Sequence, residues 1–107
     1  MILNKNSTIA ITTSNASVTT ALPVGGGELL WLYNDSVTAA EHVFLEVGDS
    51  TVTVQAPTAN VGGGFHLPPA ILGNGIFELR LKPTDTHIAM VSGSGTPVVF
   101  ITRGRAM

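Results

Sequence analysis

Apolar and polar residues alternate one by one along much of this chain, and turn-forming residues break the alternation about every 8–12 positions. A strand repeats its faces every two residues and a helix every 3.6, so this spacing admits strands and disfavours helices. No segment keeps apolar residues at i, i+3, i+4 and i+7 over three turns. The residue types agree: Thr, Val and Ile supply 31 of the 107 residues, punctuated by 12 Gly and 6 Pro. β-Branched side chains suit a pleated, half-buried surface.

The pattern marks eight strands: Ser7–Thr13, Ser17–Leu22, Glu28–Asn34, Glu41–Val47, Thr51–Gln55, Ile76–Lys82, Thr86–Ser92 and Pro97–Thr102. In the fourth, Val43, Leu45 and Val47 oppose His42, Phe44 and Glu46; in the sixth, Phe77, Leu79 and Leu81 oppose Glu78, Arg80 and Lys82. The expected fold is all-β, a single-domain β-sandwich built as an eight-stranded jelly roll over residues 1–107. Residues 1–6 are expected as an N-terminal arm and 103–107 as a C-terminal tail. An immunoglobulin-like sandwich is the alternative, although its Cys-Trp-Cys core is absent.

Three segments depart from the alternation. Leu29-Leu30-Trp31-Leu32-Tyr33 is apolar on both faces. Either a loop covers its second face, or that face joins a subunit interface, where Trp and Tyr are enriched. Residues 57–75 carry Gly62-Gly63-Gly64, Pro68-Pro69 and Asn74-Gly75 and no strand pattern. Phe65, Leu67, Ile71 and Leu72 make this segment apolar enough to dock as an ordered loop. The ends, Met1-Ile2-Leu3 and Ala106-Met107, are apolar for termini and could reach a neighbouring chain.

Charge narrows the function. Only 11% of residues are charged, against about 25% in ordinary soluble domains. With five Lys and Arg against seven Asp and Glu, there is no basic field to hold nucleic acid. No run of about 18 apolar residues is present, so no membrane-spanning helix is expected. The first residues show no apolar signal region. Zero Cys removes disulfides, thiolate metal sites and thiol nucleophiles. Glu28, Asp35, Glu41, Glu46 and Asp49 follow one another with no Lys or Arg between them. They are either scattered solubilising charges or one face of a polarised domain that meets the basic face of a neighbour.

No catalytic or metal constellation emerges. Gly48-Asp49-Ser50 is similar to the nucleophile block of GDS-type esterases, with Asp85 and His87 as conceivable partners. That chemistry needs an α/β scaffold and a base within reach of the Ser, and this chain offers neither. A turn whose polar side chains satisfy its own backbone explains the triplet. His42, His66 and His87 lack the close spacing of metal ligands, and three distant groups would have to converge. The glycine triplets lack the Lys-Ser/Thr sequel of a phosphate loop. Asn6-Ser7-Thr8, Asn15-Ala16-Ser17 and Asn34-Asp35-Ser36 match a glycosylation sequon by chance in so Ser/Thr-rich a chain. No cofactor, metal, small-molecule substrate or catalytic residue is expected.

Leu32-Tyr33-Asn34, Val43-Phe44-Leu45-Glu46-Val47-Gly48-Asp49-Ser50, Thr86-His87-Ile88-Ala89-Met90-Val91 and the stretch from Gly95 to Gly104 together resemble small structural proteins of tailed bacteriophages. The resemblance spans residues 18–104. It implies a non-enzymatic capsid decoration, or cement, protein on the capsid exterior, made in the host bacterial cytoplasm. Its implied partners are the major capsid protein and copies of itself, as a dimer or trimer, with no nucleic acid and no membrane. The expected contact residues are Ile2, Leu3, Trp31, Phe65, His66, Leu67, Arg103 and Arg105. A head-tail joining, tail or fibre-associated protein is the first alternative. A carbohydrate-binding β-sandwich, with Trp31 and Tyr33 stacking on sugar rings, is the second.

Overall fold

The computed structural model describes residues 2–73 and 75–106, and side chains from Ser7 onward. Its strands are β1 (Ile2–Thr12), β2 (Val18–Ala21), β3 (Leu29–Asn34), β4 (Val43–Gly48), β5 (Phe65–Leu67), β6 (Phe77–Arg80), β7 (His87–Ser92) and β8 (Val98–Arg105). A single 3-10 turn at Ala70–Leu72 is the only helical element among the described residues. The strands form two antiparallel four-stranded sheets, ordered β1-β8-β3-β6 and β2-β7-β4-β5. The chain is therefore all-β and a β-sandwich, as the alternation implies.

The core is made by one side of each sheet. Ile11, Leu30, Leu32, Val99 and Ile101 from the first sheet meet Val43, Leu45, Leu67, Ile88 and Met90 from the second. Every second residue is buried because successive strand side chains point to opposite faces. Ile9, Val47, Phe77 and Leu79 extend the cluster at its margins.

Two expected elements change. Thr51–Gln55 alternates as a strand would, with Val52 and Val54 half-buried and Thr53 and Gln55 exposed, but it joins no ladder. It is an extended strap that runs across the outside of the second sheet. The Thr19 hydroxyl donates to Val52 O (2.7 Å) and Val54 N donates to Ser17 Oγ (3.2 Å) beside edge strand β2. Gln55 O accepts from Gly64 N (3.1 Å) next to β5, the opposite edge. Ala89 lies between Thr19 and Glu46 in register on that outer face, yet it has no exposure. The fifth strand comes instead from inside the 57–75 segment, which is docked. Leu67 pairs with Val43, and Phe65 meets Phe77 edge-on with ring centres 6.3 Å apart.

The expected arm and tail are likewise corrected. Ile2 lies opposite Arg105 and Leu3 opposite Gly104, so both stretches are strand backbone in the β1–β8 ladder. The side chains of Ile2 and Leu3, and the terminal methionines, lie outside the described residues.

Candidate functional site

The outward face of the β1-β8-β3-β6 sheet is the first candidate. The ladders set Trp31 opposite Thr102 and Glu78, and Tyr33 opposite Phe100. Trp31 and Tyr33 are half-buried, whereas Phe100 and Ile76 are exposed, Ile76 by 62%. Together with Thr102 they line a shallow hollow of about 240 Å³. Trp31 Nε1 donates to Glu78 Oε1 at 3.1 Å, which fixes the indole across the strand pair. Among the described residues Trp31 and Tyr33 keep part of this face open to solvent. Leu29, on the same face, is buried beside Gly104.

The second candidate is a histidine pair on the outside of the other sheet. His66 lies opposite Phe44 across β4 and β5, which places His42 diagonally beside it. His42 Nδ1 and His66 Nε2 are 2.6 Å apart. The ring centres are 4.8 Å apart, nearly the N···N distance plus two ring radii, so the imidazoles meet edge to edge and share one proton. Phe44 stacks on His66 with ring centres 5.1 Å apart and planes 20° from parallel. Burial and then the neighbouring His42 hold the His66 pKa below its ordinary 6.5. The folded protein then binds fewer protons than the unfolded chain as the pH drops below about 6.5, so stability is expected to fall with acidification in that window. His66→Gln should flatten this part of a melting-temperature-against-pH curve.

The remaining expected contact residues divide. Phe65 is 44% exposed and His66 is exposed, so both remain available as surface. Leu67 is fully buried in the core and is corrected: pairing with Val43 turns it away from solvent. Arg105 is exposed. Arg103 is corrected as a free contact. It shares Leu30's inward face, and its guanidinium donates to Gly27 O (2.9 Å) and Pro23 O (3.4 Å), capping one end of the sandwich.

The acidic run does not form one face. Glu28 sits by Arg80 and Arg105 at the end where Lys82 and Arg103 also lie. Its pKa is lowered first by the Ala106 N–H, then by its own backbone N–H and, more weakly, by those two arginines, against a burial effect that raises it. Asp35 and Glu41 lie toward the other end, where Asp35 N donates to Val98 O and Glu41 accepts from Ser36 Oγ. Among the described residues the cations are thus gathered and the anions are spread.

The Gly48-Asp49-Ser50 triplet is a turn. Asp49 Oδ1 accepts from the Thr51 hydroxyl (2.6 Å) and the Thr51 N–H (2.9 Å). These bonds, hydroxyl first, hold its carboxyl below the ordinary 3.8. His87 bonds Thr86 through Nδ1 at 2.9 Å. Among the described residues no three His, Asp or Glu side chains converge as a metal cluster.

Spacing missed two features. The histidine pair depends on the register of β5, which the alternation did not mark. Asn34 is the other: it is 1% exposed, and its Nδ2 donates to Glu41 O (2.9 Å) and Leu67 O (3.2 Å), tying β3 to the opposite sheet. An Asn closing an otherwise apolar strand is the signal that could have marked it. Comparisons with family models, with curated proteins and with solved structures find no match to this chain.

Proposed function

We propose that this chain is a non-enzymatic virion structural subunit, a capsid decoration protein of a tailed bacteriophage. In this reading it is a jelly roll that associates with copies of itself and with the major capsid protein on the capsid exterior. The strand order supports the jelly roll. β1 pairs β8, β2 pairs β7, β3 pairs β6 and β4 pairs β5, as in one long hairpin doubled over itself. The β8–β3 and β7–β4 ladders join the turns of the roll. Capsid proteins commonly use this architecture.

The observation that carries the assembling role is the uncovered aromatic face of Trp31, Tyr33 and Phe100 with Ile76. Apolar surface rimmed mainly by Thr8, Thr12 and Thr102, with the Glu78 carboxylate tied to the Trp31 indole, suits a protein contact more than free solution. Many copies acting together make weak individual contacts sufficient. The purified chain is expected to run as a dimer or trimer in light scattering. Phe100→Asp is expected to weaken self-association or capsid co-sedimentation by about tenfold or more, as for a buried aromatic anchor. A monomer that ignores capsids, with Phe100→Asp indistinguishable from wild type, would overturn the proposal.

A carbohydrate-binding reading is favoured by one observation, the Trp31–Glu78 pair beside Tyr33, since an aromatic plate with a carboxylate can stack on and hydrogen-bond a sugar ring. Titration with simple sugars, following Trp31 fluorescence, separates the two.

A further inference from the structure

We propose that His42 and His66 form a two-imidazole site for a borderline divalent cation of the Zn²⁺, Ni²⁺ or Cu²⁺ class, in which the ion takes the place of the proton the rings share. His42 Nδ1 and His66 Nε2 face each other at 2.6 Å. Each is a lone-pair donor once that proton leaves. Tetrahedral bonds of about 2.0–2.1 Å put two ligating nitrogens about 3.3 Å apart, so the rings need to part by well under 1 Å and tilt toward a common point. His66 is exposed and His42 half-buried, which permits that movement and leaves room for waters to complete the shell.

The scaffold restricts the rings to this neighbourhood. Phe44 lies flat against His66. The main chain of His42 is pinned on both sides, its N–H donating to Ala40 O (3.0 Å) and its carbonyl accepting from Gly93 N (2.9 Å). The donor set selects the metal. Two imidazoles without carboxylate or thiolate suit borderline ions, whereas Mg²⁺ and Ca²⁺ require oxygen ligands. In the neutral pair the shared proton moves to the far nitrogen of the ring that carried it, leaving a lone pair on each facing nitrogen; protonating either ring removes a ligand, so the site competes with acid.

Calorimetric titration of the intact chain with ZnCl₂ and NiCl₂ at neutral pH tests this. One ion per chain is expected, with MgCl₂ silent and binding weakened by acidification, since a protonated imidazole is no ligand. His42→Ala and His66→Ala should each bind about tenfold more weakly or worse, while His87→Ala, at the histidine outside the pair, binds as wild type. Imidazole ¹H–¹⁵N spectra of the wild-type chain give a readout that needs no variant. Zn²⁺ should move the His42 and His66 signals and leave those of His87 unchanged. Absence of binding at millimolar Zn²⁺, or equal losses in all three variants, would overturn the assignment.

Discussion

Asn34→Asp is expected to destabilise the protein by about 4–5 kcal/mol at pH 7 and by only about 1 kcal/mol near pH 4. The Asn34 amide donates to two main-chain carbonyls, Glu41 O and Leu67 O, from a position that is 1% exposed. An ionised carboxylate there would aim negative oxygen at two carbonyl oxygens in a site closed to water. The folded chain escapes by keeping the introduced group protonated, which retains one of the two hydrogen bonds. Holding that proton at pH 7 costs 1.36 kcal/mol for each unit above an ordinary Asp value of about 3.9, or about 4 kcal/mol. The lost hydrogen bond adds about 1 kcal/mol.

The sign follows from linkage. The introduced group has a raised pKa in the fold, so the unfolded chain releases its proton first as pH rises, and the penalty grows above about pH 4. Asn34→Ala removes the donor without adding charge, so its cost of about 2 kcal/mol should not vary with pH in this range. Urea denaturation of both variants at the two pH values measures the difference. Equal costs for Asn34→Asp at pH 4 and pH 7 would show that the amide does not bridge the sheets.

Gly27→Ala is the second large effect, about 3–5 kcal/mol. Gly27 has φ +109°, and a Cβ there would meet the Gly104 carbonyl, with the carbonyl carbon 2.5 Å away and Arg105 Cγ 2.9 Å away. The obstruction is main chain in the β3–β8 ladder, where Leu29 lies opposite Gly104, so it cannot turn aside. Gly26 is the control. It also has positive φ, at +70°, but a Cβ there meets nothing within 4 Å. Gly26→Ala should cost only the left-handed backbone term, about 1–2 kcal/mol. Denaturation midpoints that fall equally in the two variants would mean that strain alone, not the close approach of β8, fixes this turn.

What could be read beforehand follows the physics of one-sided burial. β2, β3, β4, β6 and β8 were legible because each turns alternate residues inward, as Leu30 and Leu32 do, whereas in β7 the strap and neighbouring elements bury Ile88 to Ser92 on both faces. The Thr51–Gln55 strap misled for the same reason. Alternation reports which residues lie against a surface, and a strap crossing a sheet buries every second residue without pairing. β5 escaped because three residues with one buried side chain make no period. The aromatic face was half legible: Trp31 and Tyr33 stood out, but Phe100 and Ile76 joined them only through the β3–β8 ladder. The role of Arg103 was not legible, since its partners Pro23 and Gly27 lie 80 and 76 residues away.

The nesting of the strand pairs also sets a timetable. β4 and β5 are near neighbours in sequence, whereas Thr8 of β1 bonds Thr102 of β8 across 94 residues. Closing short loops is entropically cheaper, so the inner pairs can form while the outer ones wait. β8 lies between β1 and β3 in its sheet. Until the ribosome releases β8, β1 has no neighbour to hold it, and the sheet that carries the aromatic face exists only as its β3–β6 half.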